Sequence, residues 1–219
     1  MPTRAVLFDF DGVIADTENI HIAAWQRTLA RLGWEVPDEV CARAVEVDDR
    51  IFLADLFAQR KLEQGDVEGW VRSKQELTAS MLTASPRIYP GLVELVRSLI
   101  GKVQLAIVST TWRENIEIVL KAANLEDAFP TVVGKQDVTL VKPDPEGYRL
   151  ALQKLGIAPE DAIALEDSAT GLAAARAAGL PVIAVGHRLP RGEWVGSSNF
   201  VDDLTNQPKL MPLLGLGNG

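Results

Sequence analysis

Short apolar runs alternate with stretches of helical spacing through most of this 219-residue chain, and this alternation limits the fold more than any other feature. Apolar runs without polar positions are typical of strands that are buried on both faces. Helices between such strands place the strands in parallel. The sequence therefore predicts an α/β fold with a doubly wound parallel sheet. The predicted strands are Ala5 to Phe8, Leu105 to Val108, Val132-Val133, Ala162 to Leu165 and Val182 to Val185, and the helices are Leu92 to Gly101, Arg113 to Asn124, Pro145 to Gly156 and Ala169 to Gly179.

One segment interrupts the alternation. Residues 17–83 show no strand pattern, and their first helix carries an apolar stripe that stops at Gly33. Pro86, Pro90 and Gly91 mark the return to the sheet. We expect a core domain of residues 1–16 and 84–219 and a small helical domain of residues 17–83, inserted through two linkers. The stripe consists of Ile22, Trp25, Leu29 and Leu32.

Composition excludes several classes of function. The formal net charge of -8 argues against binding to nucleic acid or to an anionic membrane surface. Cys41 is the single cysteine, so no intramolecular disulfide can form. The sequence shows neither a secretory signal nor an apolar run long enough to span a bilayer. We therefore expect a cytoplasmic protein, and nothing in its sequence requires a dimer.

Two acids end the first predicted strand. Asp9 and Asp11 follow the apolar run and are themselves followed by Gly12. A desolvated carboxylate needs a cation or several donors to remain ionised, and a metal ion is the simplest neutraliser. The four residues Asp9-Phe10-Asp11-Gly12 alone are equally compatible with an ordinary turn that closes a strand.

Other polar residues follow other predicted strands. Because the carboxyl ends of parallel strands share one edge of a sheet, these side chains should converge with Asp9 and Asp11. Several carboxylates in one crevice indicate a hard divalent cation, and Mg²⁺ fits best. The converging residues are Ser109, Thr110 and Thr111 after the second strand, Glu166, Asp167 and Ser168 after the fourth, and Lys142, which precedes a helix that starts at Pro145.

The same set contains the parts of a phosphate site. Ser109 to Thr111 open a helix whose N-terminus favours an anion, and Lys142 adds a positive charge. Each part also has an ordinary structural explanation, because the hydroxyls could cap the helix, Lys142 could be a solvated loop lysine, and Glu166-Asp167 could cap the next helix. Their joint occurrence favours a phosphoryl-transfer site.

The order of these residues resembles the four motifs of the haloacid dehalogenase (HAD) superfamily of phosphotransferases over nearly the whole chain. The motifs are Asp9-Phe10-Asp11-Gly12-Val13-Ile14, Ser109, Lys142-Pro143 and Glu166-Asp167-Ser168. The insertion is similar to the small helical cap of the branch that includes β-phosphoglucomutase and sugar-phosphate phosphatases, and residues 109–115 resemble the xylulose-bisphosphate phosphatase type. The resemblance implies a HAD-like, Rossmann-type core.

The resemblance also implies roles for individual residues. Asp9 would attack phosphorus, Asp11 would act as acid and then base, and Ser109 and Lys142 would hold the transferring phosphoryl group. Mg²⁺ would be bound by Asp9, Asp167, the neighbouring Glu166 and the main-chain oxygen of Asp11. Dehalogenases of this superfamily use one aspartate and no metal, so Asp11 and Asp167 argue against that activity. The implied substrate-binding residues are Thr17, His21, Lys74, Thr110, Thr111 and Asn115.

The helical insertion leaves several alternatives open. His21 could instead pack or face solvent, Lys74 is more typical of a solvated helix lysine, and Trp25 and Trp70 are more typical of a core. Trp112 could line the pocket.

In β-phosphoglucomutase the cap carries a Gly-x-x-Arg motif for a second phosphate, but here Asp48 stands at the arginine position and Arg50 is displaced. The sequence therefore predicts a phosphatase acting on a small phosphorylated metabolite, with a sugar phosphate favoured. A phosphomutase and a non-catalytic binding protein on the same fold are the alternatives.

Overall fold

The computed structural model describes residues 3–45, 47–61, 65–187 and 199–217. The chain divides into two compact units, which we call the sheet unit (Met1–Asp16 with Arg87–Gly219) and the helical unit (Thr17–Pro86). None of the described helices is both long and apolar enough to cross a bilayer.

The sheet unit contains a parallel six-stranded sheet with the order β3-β2-β1-β4-β5-β6, which confirms the predicted fold class. The first strand lies inside the sheet and pairs Phe8 with Ile107 on one side and with Leu165 on the other. Every residue of this strand is fully buried. The strands are β1 (Ala5–Phe8), β2 (Gln104–Val108), β3 (Thr131–Val133), β4 (Ala162–Glu166), β5 (Val182–Val185) and β6 (Phe200–Val201).

The four predicted helices of the sheet unit begin and end within two residues of their predicted bounds, whereas a fifth helix, Gln207–Leu213, was not predicted. Strand β6 was not predicted, because two residues are too short to show a periodic pattern. Leu7, Ala106, Tyr148 and Ala164 belong to a core cluster between the sheet and its helices. The helices are α5 (Leu92–Leu99), α6 (Arg113–Ala123), α7 (Glu146–Leu155), α8 (Ala169–Ala177) and α9 (Gln207–Leu213).

The helical unit packs around Trp25, which is fully buried and lies beside Phe52 and Leu53 in a separate apolar cluster. Trp70 packs against this cluster from its edge. No strand occurs among the described residues of this unit. Its helices are α1 (Glu18–Ala30), α2 (Asp38–Ala42), α3 (Asp49–Gln59) and α4 (Val67–Ala84).

Charged residues at the start of α3 are engaged inside the helical unit. The Asp48 carboxylate accepts a hydrogen bond from the Arg50 backbone N–H at 2.8 Å and caps the helix. The Arg50 guanidinium donates two hydrogen bonds to the Glu68 carboxylate, at 2.6 and 2.9 Å. The position at which the mutase carries its arginine is therefore a helix cap in this chain.

Lys74 is not the solvated helix lysine that the sequence favours. Its side chain is 5% exposed, and its ammonium lies 3.1 Å from the Asp49 carboxylate, which also accepts a hydrogen bond from the Trp25 indole at 3.2 Å. Asp49 lies in another helix, 25 residues away, so no local sequence pattern could reveal this pairing.

Breaking this buried ion pair should destabilise the protein. Lys74→Met removes the ammonium that balances the Asp49 carboxylate, and an uncompensated buried charge costs about 3 kcal/mol. The double variant Asp49→Asn/Lys74→Met, which carries no buried charge at the pair, should recover much of the loss. Urea unfolding followed by tryptophan fluorescence measures both. A single variant as stable as the unmodified protein would contradict this account.

Candidate active site

The turn after β1 presents the first two acids. Gly12 adopts a left-handed conformation with φ of 89°, and the Phe10 carbonyl accepts hydrogen bonds from the backbone N–H groups of Ile14 and Ala15. Only glycine takes such a conformation at little cost. The turn thereby brings the Asp11 carboxylate to 3.3 Å from the Ser109 hydroxyl, which lies directly after β2.

Lys142 connects three strand ends. Its ammonium donates hydrogen bonds to Asp9 Oδ1 at 2.6 Å, to Glu166 Oε1 at 2.7 Å and to the Val108 carbonyl at 2.9 Å. The lysine side chain is only 8% exposed. Burial alone would lower the pKa of Lys142, but the charges of Asp9 and Glu166 raise it above its ordinary value. The lysine is therefore a fixed positive charge at this edge of the sheet.

The pKa of Asp9 is strongly perturbed. Burial, followed by the charge of Glu166, raises the pKa of its carboxyl from 3.8 to about 7, although Lys142 acts in the opposite direction. The perturbed pKa means that the lysine alone does not offset the desolvation of this carboxylate. A second cation at the site would do so.

Three acids form a cluster that is suited to that cation. Asp9, Glu166 and Asp167 are buried, and each offers a carboxylate oxygen within 4.8 Å of the others. Within the described part of the chain, Glu166 Oε2 is buried and has no hydrogen-bond partner. Carboxylate oxygens at this density are ligands that Mg²⁺ prefers, so the residues fit the metal that the sequence predicts.

The loop after β2 carries the predicted phosphate-binding residues. The Ser109 hydroxyl accepts a hydrogen bond from the Thr111 backbone N–H at 2.9 Å, which fixes the loop at the start of α6. Thr110 is exposed, whereas Thr111 and Asn115 are buried. Trp112 is partly buried, and a lysine ammonium lies 5.9 Å from its ring centroid.

Three of the predicted substrate-binding residues belong to the helical unit. Thr17 precedes α1, His21 lies within it, and both are buried. Lys74 lies in α4 and pairs with Asp49 as described. Their role in substrate binding stays a prediction.

Tyr148 is a site residue that the sequence analysis missed. Its hydroxyl donates a hydrogen bond of 2.5 Å to Glu166 Oε1, the oxygen that also accepts from Lys142. Burial and the charge of Glu166 raise the pKa of Tyr148 well above its ordinary value, so it remains a neutral donor. The residue lies on the buried face of α7, and nothing in the sequence indicated a polar partner there.

Gly171 makes room for the Glu166 carboxylate. A methyl group built on its Cα would overlap both carboxylate oxygens. The Gly171 backbone N–H donates a 3.1 Å hydrogen bond to the Ser168 hydroxyl, which caps α8. The first turn of this helix is therefore held against the acid cluster.

Gly171→Ala should impair the site without breaking the helix. Alanine favours a helix more than glycine does, but its methyl group must displace Glu166. Because small displacements of reacting groups are costly, we expect turnover to fall by about a hundredfold. Thr170→Ala, an exposed position in the same turn, is the matched control and should retain activity. Steady-state kinetics of both variants make the comparison, and normal turnover in Gly171→Ala would show that Glu166 tolerates displacement.

Comparisons with known proteins agree with this geometry. Residues 6–185 match the model of the haloacid dehalogenase-like hydrolase family. The protein CbbY of Cereibacter sphaeroides is 31% identical to this chain, over 91% of this chain and 91% of CbbY. A phosphorylated carbohydrates phosphatase of Thermotoga maritima is 32% identical, over 87% of this chain and 88% of the phosphatase. The crystal structure of a CbbY variant from Rhodobacter sphaeroides in complex with xylulose-(1,5)bisphosphate superposes with a TM-score of 0.82 at 30% identity, covering 93% of this chain and 96% of that one.

The family match spans most of the chain, including β1 to β5. The two relatives match 91% and 87% of the chain, and the structural similarity covers 93% of it. The chain belongs to the haloacid dehalogenase-like hydrolases.

Proposed function

We propose that this hydrolase is a Mg²⁺-dependent phosphatase that cleaves a small phosphorylated metabolite, a sugar phosphate, through an aspartyl-phosphate on Asp9. One observation carries the proposal: the buried carboxylate of Asp9 lies against the Lys142 ammonium and within the Asp9–Glu166–Asp167 cluster. A nucleophilic carboxylate, a fixed cation and a metal-binding group are thus gathered at one sheet edge.

In the first step, a carboxylate oxygen of Asp9 attacks phosphorus, and the bond from phosphorus to the leaving oxygen breaks. Asp11 donates its proton to that oxygen, so the sugar leaves as an alcohol. The Ser109 hydroxyl donates a hydrogen bond to a phosphoryl oxygen, and the positive charge of Lys142 stabilises the negative charge that is concentrated on the phosphoryl oxygens. The positive charge of Lys142 is already held in place by Asp9, Glu166 and Val108, so little reorganisation is needed.

In the second step, the Asp11 carboxylate takes a proton from water as that water attacks phosphorus. The bond between phosphorus and the Asp9 oxygen breaks, orthophosphate leaves and both aspartates return to their initial states. Asp9, Glu166, Asp167 and the main-chain oxygen of Asp11 would hold Mg²⁺. When bound, the metal offsets charge on the phosphoryl group and keeps Asp9 ionised.

The substrate class is supported by relatives and by the chain's own charges. One relative is a phosphorylated carbohydrates phosphatase, and another was crystallised with a sugar bisphosphate. Asp48 caps α3 and Arg50 pairs with Glu68, so this region does not offer the arginine that binds a second phosphate in a mutase. This observation favours hydrolysis over a phosphomutase.

Further residues are proposed as substrate contacts. Thr110 is exposed beside Ser109, and Thr111 and Asn115 follow it at the start of α6. In the helical unit we assign the same role to Thr17, His21 and Lys74. Because the Lys74 charge is matched by Asp49, Lys74 would contribute a hydrogen bond rather than an uncompensated charge.

A product assay tests this function. The purified protein with Mg²⁺ is incubated with a panel of hexose and pentose phosphates, with and without a sugar bisphosphate activator, and orthophosphate and sugar-phosphate isomers are quantified. Orthophosphate without isomer supports the proposal. Isomer formation that depends on the bisphosphate would establish the mutase, and binding without turnover would establish a non-catalytic protein.

A further inference from the structure

His187 lies at the same edge of the sheet as the site, two residues after β5. Its Nδ1 atom is 2.8 Å from the carbonyl oxygen of Gly12. A carbonyl oxygen can only accept a hydrogen bond, so Nδ1 carries a proton and donates it. The imidazole therefore holds the peptide that directly follows Asp11.

The second ring nitrogen fixes the form of the imidazole. Nε2 is buried and has no hydrogen-bond partner among the described residues, so a proton there would be unsatisfied. Burial lowers the pKa of His187 below its ordinary value, while the Gly12 carbonyl, Asp203 and Asp16 act in the opposite direction. The ring is thus a neutral donor with its proton on Nδ1.

Tyr89 holds the ring in place. The two rings are stacked, with centroids 3.8 Å apart and planes inclined by 9°. The Tyr89 backbone N–H donates a hydrogen bond to the Ile14 carbonyl at 3.1 Å. The stacked pair therefore contacts the turn at both Gly12 and Ile14, one residue on each side of Val13.

The turn that is held in this way carries Asp11. Its internal hydrogen bonds join Gly12 to Ala15 and Phe10 to Ile14, but none of these fixes the Gly12 carbonyl. Rotation of the peptide between Gly12 and Val13 changes ψ of Gly12. In a turn closed by hydrogen bonds, the left-handed φ of Gly12 must adjust with it, and this adjustment changes the direction of the Asp11 side chain. The imidazole is the described group that donates to this carbonyl.

We propose that His187 is a positioning residue for phosphoryl transfer, whose Nδ1–H holds the Gly12 carbonyl so that the Asp11 carboxyl faces the leaving oxygen. The inference rests on the proposed function, because it requires Asp11 to be the acid. It predicts a specific kinetic defect. Loss of the donor should slow the cleavage of poor leaving groups, which need protonation, more than that of good ones.

Two substitutions separate the donor from the ring. His187→Phe keeps the stack on Tyr89 and removes the donor, whereas His187→Asn places an amide N–H near the position of Nδ1 and removes the ring. The value of kcat/KM is measured for an alkyl sugar phosphate and for an aryl phosphate. We expect His187→Phe to lower it by about tenfold for the sugar phosphate and by less than about threefold for the aryl phosphate, with His187→Asn closer to the unmodified protein.

The outcomes distinguish the inference from the proposed function. An equal loss for both substrates, or no loss, would overturn the positioning role. If Asp9→Asn retains turnover, the proposed function itself fails, whatever His187 does. A thermal melt is recorded for each variant. If His187→Phe is not folded at the assay temperature, it is replaced by His187→Gln, whose amide lies near the Nε2 position and not near Nδ1. This variant should show the same dependence on the leaving group.

Discussion

Asp9→Asn is expected to lower phosphate release from a sugar phosphate by at least about a thousandfold, because an amide cannot act as the nucleophile. The substitution keeps the size of the side chain and an oxygen that can accept the hydrogen bond that Lys142 donates to Asp9. Phosphate release and trapping of the covalent phosphoenzyme by acid quench followed by mass spectrometry measure the effect. The unmodified protein should show a phosphorylated peptide that contains Asp9, and the variant should show none.

The same substitution should not weaken the fold. Burial raises the pKa of Asp9 to about 7, so its folded-state pKa lies above the unfolded value of 3.8. The stability linked to its proton is therefore complete below about pH 4 and lost as the pH rises through about 7. At about pH 8 without metal, Asp9→Asn should melt at or above the temperature of the unmodified protein. Collapse of the variant would mean that the Asp9 charge is structural rather than catalytic.

The sheet edge could be predicted from the sequence because the pattern that marks each strand is local. Each strand from β1 to β5 contains a run of apolar residues, and the polar residues that follow these runs must meet once the sheet is parallel. Asp9, Glu166 and Asp167 were joined on this argument across more than 150 residues of sequence, and their oxygens lie within 4.8 Å of one another.

What the sequence did not reveal are pairings between side chains on separate elements. Tyr148 was not among the predicted site residues, and its hydroxyl bond to Glu166 is formed only when α7 and β4 are brought together by the fold. Lys74 is typical of a surface residue in the sequence, but in the structure it is buried and forms an ion pair with Asp49. His187 follows a predicted strand, but its partner is a backbone carbonyl. Because every residue has such a carbonyl, the sequence does not indicate which one His187 contacts.

These missed residues share a physical role. Each places a donor or a cation against a buried acceptor that would otherwise be costly to desolvate. Tyr148 and Lys142 both donate hydrogen bonds to Oε1 of Glu166, whereas Oε2 accepts none among the described residues. The orientation of the predicted metal ligand is therefore set by Lys142, which belongs to a motif, together with Tyr148, which no motif contains.

Chelation of the metal should reduce turnover by at least about a hundredfold, and Mg²⁺ should restore it. Without the metal, the Asp9 carboxylate is disfavoured by burial and by Glu166, so less of the nucleophile is ionised at neutral pH. Dialysis against EDTA followed by titration with Mg²⁺ measures the recovery. Asp167→Asn should raise the Mg²⁺ concentration needed for half-maximal activity. Full turnover after chelation would show that Lys142 alone suffices as the cation.

The stabilisation that Mg²⁺ gives should grow as the pH rises from about 5 to about 8, because the metal competes with the proton that Asp9 holds when its pKa is about 7. Below that pKa, Mg²⁺ must displace the proton of Asp9 in order to bind. Above it, the carboxylate is already ionised, and the bound metal restores the stability that the folded protein lost when Asp9 gave up its proton. Melting temperatures with Mg²⁺ and with EDTA across this range give the difference directly. The pH dependence should largely disappear in Asp9→Asn, which has no proton to displace at that position. An equal shift at both ends of the range would mean that protonation of Asp9 is not linked to metal binding.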